Sequence, residues 1–526
     1  MAKRNNNLTL ILALAITAGV SVAGLWVVNK TAPGLLPSLF GNSSDTGSGL
    51  LKPQKSGQFT LLGDTFSGYS TFRSDAFKDA LKQSNLSLRY EDEFDQTKRA
   101  ERLTQGKADL LVTTLDQFLQ QQPAGKIVAL IDRTVGADAV VLNTRKYQGL
   151  KSLQDLGALV AKTRSQGQRL SIAFAGDTPS EYLALVLDTK FEAFNLADFE
   201  IIEVADASEA WDLLQDPGKN VAIAVIWEPF VTQAKQEGYT IVLSSRDAPK
   251  AIVDVLVASD RLLNAQPQAV SKLISAYYQR MDTSIRDPAQ LQSQIATDGN
   301  LSANDATAIL QGIKFFNAVE ARNWMQDGTL AQRIKATAAV LVLAGRLNNV
   351  PSAPDQLISA QYLSQAADNT QRLIDLVRAD DPALADQIAG KQTSEPTPAK
   401  VTPKQIQTAP DIGNLQVRGE VKFATGSAKL TSQGQQTLNQ LAQEIAEFNP
   451  QTVAVRIVGH TSKSGSAALN QTLSQQRAKI VTNYLRSRGL KHNFLAEGKG
   501  FNLPLPGIPA KDPRNQRTEI RLVRVN

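Results

Sequence analysis

Residues 459–489, GHTSKSGSAALNQTLSQQRAKIVTNYLRSRG, form the most specific stretch of this chain. The run TVAVRIV before it is rich in β-branched residues and predicts a strand, which ends at Gly459, where the backbone can bend or approach another segment closely. A loop of small polar residues follows, and apolar residues then recur at helical spacing, at Ala478, Val481, Tyr484 and Leu485. Gly489 is suited to cap the end of this helix. The pattern predicts a strand, a loop and a helix, with Arg477 placed where its guanidinium can face the loop.

This stretch resembles the OmpA-like peptidoglycan-binding family, whose signature is a Gly-His-Thr-Asp loop, an Asn, and a Leu-Ser-x-x-Arg-Ala helix start. The matching residues are Gly459, His460, Thr461, Gly465, Asn470, Leu473, Ser474, Arg477 and Ala478. The later segment NQRTEIRLVRV resembles the family's Asn-Arg-Arg segment and closing strand, with Gln516 in place of the first Arg. The resemblance implies that residues 415–526 form a small α/β domain that holds the peptide stem of peptidoglycan.

The resemblance also implies peptidoglycan contacts at Thr461, Ser462, Asn470 and Arg477. In the family, the loop aspartate takes the ammonium of a diaminopimelate residue and the helix arginine takes its carboxylate, since a guanidinium pairs a carboxylate bidentately. Ser462 stands at the aspartate position and carries no charge, so we expect weakened binding that depends on Arg477. The alternative is a domain that persists as a dimerisation or spacer module. We interpret His460 as a packed residue at the strand end.

Composition narrows the classes of function. The chain has 526 residues, enough for two to four domains, and it has no cysteine for disulfides or thiol chemistry. Its two histidines both lie in the C-terminal domain, which excludes a His-rich metal site or a serine-type triad elsewhere. The net charge of +6 is spread along the chain without interleaved aromatic residues, so it does not indicate nucleic-acid binding. Without a Walker loop, a metal signature or a nucleophile elbow, we expect no enzyme activity, catalytic residue, metal or cofactor.

The N-terminal segment predicts a membrane anchor. Residues 8–28, LTLILALAITAGVSVAGLWVV, carry no charge and are long enough to cross a bilayer as a helix. Two positive charges precede them, so residues 1–30 predict a cytoplasmic start and a single transmembrane helix in the inner membrane, with the bulk of the chain in the periplasm. A cleaved signal peptide is the alternative, because SVA at 21–23 resembles a cleavage site. The Gly, Pro and Ser content of residues 31–57 predicts a flexible linker.

From residue 58 onwards, short apolar runs alternate with amphipathic helical segments, which predicts parallel α/β layers. Domains of this kind bind ligands beyond the carboxyl ends of their strands. Turns rich in hydroxyls, glycines and carboxylates follow several of the runs: GDTFSGYS at 63–70, TTLD at 113–116, DRTVGADA at 132–139, AGDTPSEY at 175–182 and IWEPF at 226–230. We therefore expect these turns to converge on a binding cleft.

Together the turns resemble the periplasmic solute-binding proteins of ATP-binding cassette importers, in the branch that serves nitrate, sulfonates, taurine and thiamine precursors. The resemblance implies two α/β lobes over residues 58–345 that close over a ligand, with crossovers near Asn143 and Asp247. It implies ligand-binding residues at Asp64, Ser67, Gly68, Tyr69, Thr114, Asp138, Thr178, Ser180, Trp227 and Glu228. Each of these residue types also suits turns, helix caps or, for Trp227, a core position.

The remaining segments complete the predicted architecture. Residues 346–390 predict appended helices, and residues 391–414 predict a Pro/Thr-rich linker that keeps the two domains apart. We interpret the chain as a cell-envelope receptor for a small, anionic, phosphate-type solute. Its expected partners are that solute, peptidoglycan, the inner membrane and an importer permease or another envelope protein, with no nucleic acid. The alternative is a structural tether whose solute-binding fold has become a platform for protein interaction.

Overall fold

The computed structural model describes residues 57–390, 400–417, 420–424 and 426–525. The predicted anchor at 1–30 and the predicted linker, apart from its last residue, lie outside the described residues. Within the described ranges, no helix combines the length and apolar character needed to cross a bilayer.

The strands of the described part form three sheets, one in each of two lobes and one in the C-terminal domain. They are β1 Gln58–Gly63, β2 Ser87–Asp92, β3 Leu110–Thr114, β4 Gly125–Thr134, β5 Asp138–Leu142, β6 Ser171–Ala175, β7 Glu200–Val204, β8 Val221–Trp227, β9 Thr240–Ser244, β10 Val253–Ser259, β11 Ile313–Phe315, β12 Asp411–Asn414, β13 Val453–Gly459, β14 Phe494–Gly498 and β15 Thr518–Arg524.

Helices separate most of these strands. They are α1 Ser70–Arg73, α2 Asp75–Gln83, α3 Gln96–Thr104, α4 Leu115–Gln121, α5 Leu153–Ser165, α6 Pro179–Lys190, α7 Ala207–Gln215, α8 Phe230–Gln236, α9 Asp260–Ala265, α10 Pro267–Arg286, α11 Pro288–Asp298, α12 Ala303–Gly312, α13 Ala318–Gln326, α14 Thr329–Leu343, α15 Ser364–Arg378, α16 Pro382–Ile388, α17 Pro403–Thr408, α18 Ser432–Ile445 and α19 Ala467–Ser487.

Lobe one contains a six-stranded sheet in the order β11-β4-β10-β3-β1-β2. Strand β1 is parallel to β2 and β3, whereas β10 runs antiparallel to both β3 and β4. Helix α10 covers the sheet with aromatic side chains, and the rings of Phe72 and Tyr277 stack with their centroids 4.7 Å apart. The α/β prediction is confirmed, although the sheet is mixed because the strand that returns from lobe two enters it in reverse.

Lobe two contains a five-stranded sheet in the order β7-β6-β8-β5-β9. Two crossovers join the lobes, residues 135–137 between β4 and β5 and residues 245–252 between β9 and β10. The second includes Asp247, as predicted. The predicted first crossover at Asn143 is wrong, because this residue follows β5 inside lobe two and its side-chain amide donates to the carbonyls of Leu214 and Val221, at 2.8 Å each.

The C-terminal domain packs β12-β15-β13-β14 against α18 and α19. Its apolar core is continuous with that of lobe two, through Phe191, Ile412, Leu415 and Phe448. The expectation that the two domains are held apart is therefore wrong. Within the predicted linker, residues 391–399 lie outside the described residues, while α17 and β12 are regular elements and β12 pairs with β15. The appended helices predicted at 346–390 correspond to α15 and α16.

Candidate functional site

The junction of the two lobes, where the cleft is predicted, is held by a short hydrogen-bonded hinge. The Oγ of Ser245, in the second crossover, accepts from the backbone N–H groups of Gly136 at 2.8 Å and Asp138 at 3.2 Å. The N–H of Ser245 in turn donates to the carbonyl of Asp138 at 2.9 Å. Ser245 is fully buried. These bonds tie the two crossovers together, so the first residue of β5 sits directly at the junction of the lobes.

In the loop after β1, the carboxylate of Asp64 has hydrogen-bond partners within the protein. Its carboxylate accepts from the guanidinium of Arg99 at 2.9 Å and from the N–H of Phe66, also at 2.9 Å. Arg99 is itself fully buried and also donates to the carbonyls of Glu93 and Val112, at 2.8 Å each. Both oxygens of Asp64 thus have protein donors and the carboxylate supports the loop, while its contact with a solute stays a prediction. Ser67 lies beside it, half-buried.

Gly68 and Tyr69 lie over two buried carboxyl groups. The hydroxyl of Tyr69 donates to Asp254 on β10, and a Cβ on Gly68 would collide with the carboxyl of Asp132 on β4. Asp132 and Asp254 are 0% and 1% exposed. Apart from a side-chain hydrogen bond between the two carboxyl groups, which needs a proton on one of them, no donor in the described part of the chain reaches either oxygen of Asp132 or the second oxygen of Asp254. Two carboxylates cannot donate to each other, so this pair must hold a proton or meet an external donor.

Asp138 extends this acidic group towards lobe two. It is buried at the start of β5, pairs in register with Trp227 on β8, and one of its carboxyl oxygens meets no donor among the described residues. Burial raises the pKa of Asp138 to about 7, and the negative charges of Glu228 and Asp116 act in the same direction. Burial likewise raises the pKa of Asp132 to about 8. Burial and the charge of Asp132 raise the pKa of Asp254 well above its ordinary value.

The lobe-one edge of the cleft continues through Thr114 and Asp116. Thr114 is buried and stands opposite Asp254 in the β3–β10 register. Asp116, in the first turn of α4, is 2% exposed, and burial raises its pKa to about 6. The structure thus brings the predicted residues Gly68, Tyr69 and Thr114 to one group of buried acids.

The predicted site residues of lobe two differ in whether their side chains already have hydrogen-bond partners in the protein. Thr178 is the N-cap of α6, where its hydroxyl accepts from the N–H of Ser180 at 3.2 Å and donates to the carbonyl of Ala175 at 2.7 Å. Glu228 lies just before α8 and accepts from the N–H and hydroxyl of Thr232 in the first turn of that helix, at 3.0 Å each. Thr178 and Glu228 thus have structural partners already. The hydroxyl of Ser180 is fully buried, and no partner for it occurs in the described ranges.

Sequence reasoning missed Asp132, Asp254 and Asp116 as site residues. Asp132 and Asp116 lie within turns that the pattern had singled out, and Asp254 interrupts the apolar run AIVDVLVA. A single carboxyl inside an otherwise apolar strand is costly unless something satisfies it, and that cost is the signal that points to Asp254. Within the described residues, no group of His, Cys, Asp and Glu side chains has an arrangement that could hold a metal ion.

In the C-terminal domain, the residues of the predicted wall-binding site form hydrogen bonds with one another and with neighbouring residues of the same domain. Arg477 on α19 is buried, its Nε donates to the carbonyl of Ser427 at 3.0 Å, and its guanidinium lies 5.0 Å from the ring centre of Phe423. A second nitrogen donates to the side chain of Gln516 at 3.4 Å, and Gln516 donates to the hydroxyl of Ser462 at 3.2 Å. The two residues that depart from the family pattern thus bond each other and close a chain of contacts from Ser462 to Arg477.

The remaining predicted wall residues support this loop. The side-chain amide of Asn470 donates to the carbonyls of Ser464 at 2.7 Å and Ser466 at 3.0 Å, which fixes the loop to the start of α19. The hydroxyl of Thr461 is buried and meets no partner in the part of the chain that the structure describes. His460 is 1% exposed and faces Glu519 at 3.3 Å, which agrees with its interpretation as a packed residue.

Comparisons with known proteins match the two parts of the chain separately. Residues 78–291 match a family model described as NMT1/THI5 like, and residues 422–517 match the OmpA family model. Outer membrane protein A of Shimwellia blattae is 36% identical over 111 residues, which cover 21% of this chain and 44% of that protein. Outer membrane protein A of Citrobacter freundii is 33% identical over 120 residues, which cover 22% and 49%. The chain thus spans less than half the length of these relatives.

Two solute-binding proteins are among the solved structures that align with this chain. The alkanesulfonate-binding protein SsuA from Xanthomonas axonopodis pv. citri, bound to MOPS, aligns with a TM-score of 0.42 and 16% identity, covering 57% of this chain and 96% of that one. The periplasmic nitrate-binding protein NrtA from Synechocystis PCC 6803 aligns with a TM-score of 0.45 and 11% identity, covering 63% and 91%. On its own topology and the two family matches, the chain joins an α/β periplasmic-binding-protein-like fold to a C-terminal OmpA domain.

Proposed function

We propose that this chain is a cell-envelope receptor: its two-lobed domain binds a small solute between the lobes, and its OmpA domain attaches it to peptidoglycan. Attachment to the inner membrane through residues 1–30 and transfer of the solute to an importer permease are parts of the same proposal. The match of residues 78–291 to the NMT1/THI5-like model and the match of residues 422–517 to the OmpA family support the two binding roles.

One observation carries the solute-binding role. Asp132 is fully buried where the two lobes join, and in the described part of the chain the donor for its carboxyl oxygens is limited to a proton held between it and Asp254. A buried polar group without a partner costs about 1–3 kcal/mol, and more when it is charged. A solute that carries a protonated amine or several N–H groups would remove that cost and would also meet Asp138 and Asp254. We therefore propose a solute of this kind.

The anionic, phosphate-type solute predicted from the sequence stays a prediction. Such a ligand would face the carboxyl groups of Asp132, Asp138 and Asp254, and like charges placed close together in a buried site repel each other strongly. It would be accepted while these acids keep their protons, which a pKa of about 8 allows for Asp132 at neutral pH. Direct comparison of the two solute classes therefore tests the proposal.

The test is a thermal-shift panel on the full chain. Phosphate, nitrate and alkanesulfonates form one arm, and primary amines, amidines and amino-substituted heterocycles form the other. A ligand at about 100 times its dissociation constant adds about 2.7 kcal/mol of stability. We expect a member of the second arm to stabilise the chain, and Asp132→Asn to reduce that effect, while Asp212→Asn, which changes an exposed carboxyl on α7, leaves it unchanged.

The outcomes separate three interpretations. Stabilisation by an anion alone would keep the receptor and overturn the proposed solute class. Stabilisation by no member of either arm would favour the structural tether, because the continuous core between lobe two and the OmpA domain already makes the chain one packed unit.

Wall attachment has a separate test. The full chain should sediment with purified sacculi, and Arg477→Ala should leave it in the supernatant. Arg486→Ala is the matched control, since Arg486 lies on the same helix but is exposed. Equal sedimentation of all three chains would show that Arg477 only stabilises the domain.

A further inference from the structure

The OmpA domain contacts the second crossover between the lobes directly. The backbone N–H of Asn449, in the loop between α18 and β13, donates to the carbonyl of Asp247 at 2.8 Å. Its side-chain amide donates to the carbonyl of Arg246 at 3.1 Å. The crossover backbone, which must rotate when the lobes move, therefore uses the OmpA domain as its hydrogen-bond partner at two consecutive residues.

A buried ion pair strengthens this contact. Arg524 ends β15, and its guanidinium lies 3.2 Å from the carboxylate of Asp247, which is fully buried. The same guanidinium donates to the carbonyl of Ile241 at 2.6 Å. The Asp247 carboxylate also accepts from the N–H and the hydroxyl of Ser244, at 2.9 Å each. Removing one partner of a buried pair of this kind strongly destabilises its surroundings, so the OmpA domain and the crossover stabilise each other.

Residues 245–247 of the second crossover are therefore bonded on two sides. On one side Ser245 holds Gly136 and Asp138 of the first crossover. On the other side, Arg524 and Asn449 hold Asp247. A rotation of the lobes changes the backbone angles of crossover residues, and here it must either carry the OmpA domain along or break its bonds.

The OmpA domain also reaches past the hinge to a helix of lobe one. Glu447 pairs with Arg333 on α14, whose apolar residues pack in the lobe-one core. On the lobe-two side, Glu444 lies 3.7 Å from Lys190, and the ring of Phe448 meets that of Phe191 at 6.1 Å. One domain thus bridges both lobes across their hinge. The bridge has one favoured geometry, which corresponds to one orientation of the lobes.

The predicted wall site lies at the other end of the same strands. In the β13–β15 register Val453 pairs with Arg524 at the hinge end, and Gly459 pairs with Thr518 next to the loop of Ser462 and Gln516. At about 3.3 Å per residue, these ends are roughly 20 Å apart. Docking on the lobes therefore leaves the wall-binding loop on the far side of the domain.

From these contacts we infer that the chain is a solute-responsive wall tether, in which docking of the OmpA domain and the orientation of the two solute-binding lobes are coupled. Because coupling between two sites is reciprocal, a solute that favours one lobe orientation strengthens or weakens docking, and undocking frees the lobes. The coupled states rest on the proposed function, but the restraint on the lobes does not require a known solute.

The test measures the distance between the lobes in the full chain. The natural sequence has no cysteine, so Lys82→Cys on α2 and Lys162→Cys on α5 place one spin label on each lobe. Pulsed electron paramagnetic resonance then compares this labelled parent with the same chain carrying Arg524→Ala and Asn449→Ala. We expect one narrow distance distribution in the parent, and a second, separate population in the variant, because its lobes can rotate without the OmpA domain.

Two further variants of the labelled parent serve as a control and as a partial disruption of the contact. Arg456→Ala removes an arginine that pairs with Asp411 inside the OmpA domain, at 2.6 Å, and it should leave the parent distribution unchanged. Glu447→Gln weakens the contact to α14 alone and should produce the second population in smaller amount. Superimposable distributions in all chains would overturn the coupling even if the solute panel and the sacculus assay succeed. A shifted distribution would uphold the restraint even if both of those assays fail.

Discussion

The solute cleft and the wall site differ in how their polar groups are satisfied. In the cleft, the carboxyl groups of Asp132 and Asp254 are buried, and apart from Tyr69 and a proton held between the two acids, no donor in the described ranges reaches them. In the wall site, the charged group, Arg477, already donates to Ser427 and Gln516. The acids of the cleft therefore have few hydrogen-bond donors around them. In the wall site, Arg477 is already hydrogen-bonded to other residues of its own domain. A ligand adds bonds in the first region and must replace bonds in the second.

This difference affects the binding that each region can achieve. A group that arrives at an unsatisfied carboxyl gains the hydrogen bond and also removes the cost of the bare oxygen. A wall peptide that reaches Arg477 gains only the difference between its own carboxylate and the protein acceptors it displaces. We therefore expect the cleft to bind its solute more tightly than the wall site binds its peptide.

The largest expected effect tests whether Asp64 belongs to the scaffold of the cleft. Arg99→Met should lower the free energy of unfolding of lobe one by about 3–5 kcal/mol, because it leaves the Asp64 carboxylate without its buried partner. The carbonyls of Glu93 and Val112 lose their donor as well. Urea unfolding followed by hydrogen exchange in β1 and β3 measures the change.

The control for this prediction is Arg89→Met. The side chain of Arg89 is 71% exposed and pairs with Glu91 on the surface, and exposed pairs contribute about 0–1 kcal/mol. A loss below about 1 kcal/mol in Arg99→Met would contradict the scaffold role and favour the solute contact predicted for Asp64.

Much of the fold follows from local pattern, which explains what the sequence predicted. The alternation of apolar runs and helices predicts α/β layers, the resemblance carried by the turns implies two lobes, and the signature around Arg477 implies the OmpA domain. Turn composition also leads to Gly68, Tyr69, Thr114 and Asp138. Side-chain direction, however, depends on tertiary packing. The pairing of Asp64 with Arg99, 35 residues away, therefore could not be predicted from the turn alone.

Contacts between distant segments account for the other differences. The prediction that a Pro-rich linker holds the domains apart rests on composition, but β12 pairs with β15 and Phe191 packs against Phe448 across the two domains. No local pattern around Asp247 or Arg524 predicts that they meet, because they are separated by 277 positions in sequence. Such pairings are set by the packing of whole domains.

A substitution in the wall site can give it an acidic group of the kind found in the cleft. Ser462→Asp restores the carboxylate of the family pattern and provides a partner for an ammonium group. A hydrogen bond to a charged group contributes about 1.5–3 kcal/mol, so binding to sacculi should tighten by about tenfold or more. Sedimentation at increasing sacculus concentration measures the change. The gain should disappear in Ser462→Asn, and an equal gain there would show that charge is not the cause.

A dependence of stability on pH, which needs no substitution, reports the protons held in the cleft. Asp132 and Asp138 have folded-state pKa values of about 8 and about 7, raised by burial from an ordinary value of 3.8. Between about pH 4 and 7 the unfolded chain releases these protons while the folded chain keeps them. The free energy of unfolding should therefore fall as pH rises, by up to about 1.4 kcal/mol per pH unit for each retained proton.

The same pH titration, monitored by hydrogen exchange in each region, compares the stability of the solute cleft with that of the wall site. The decrease of stability with rising pH should be confined to lobe one and the hinge. It should become smaller in Asp132→Asn but not in Asp212→Asn. A bound cation favours the ionised acids, so it should lower their pKa values and flatten the slope as well. A pH-independent stability of lobe one between pH 5 and 7 would mean that these carboxyls are ionised and already satisfied, and the cleft would then resemble the wall site.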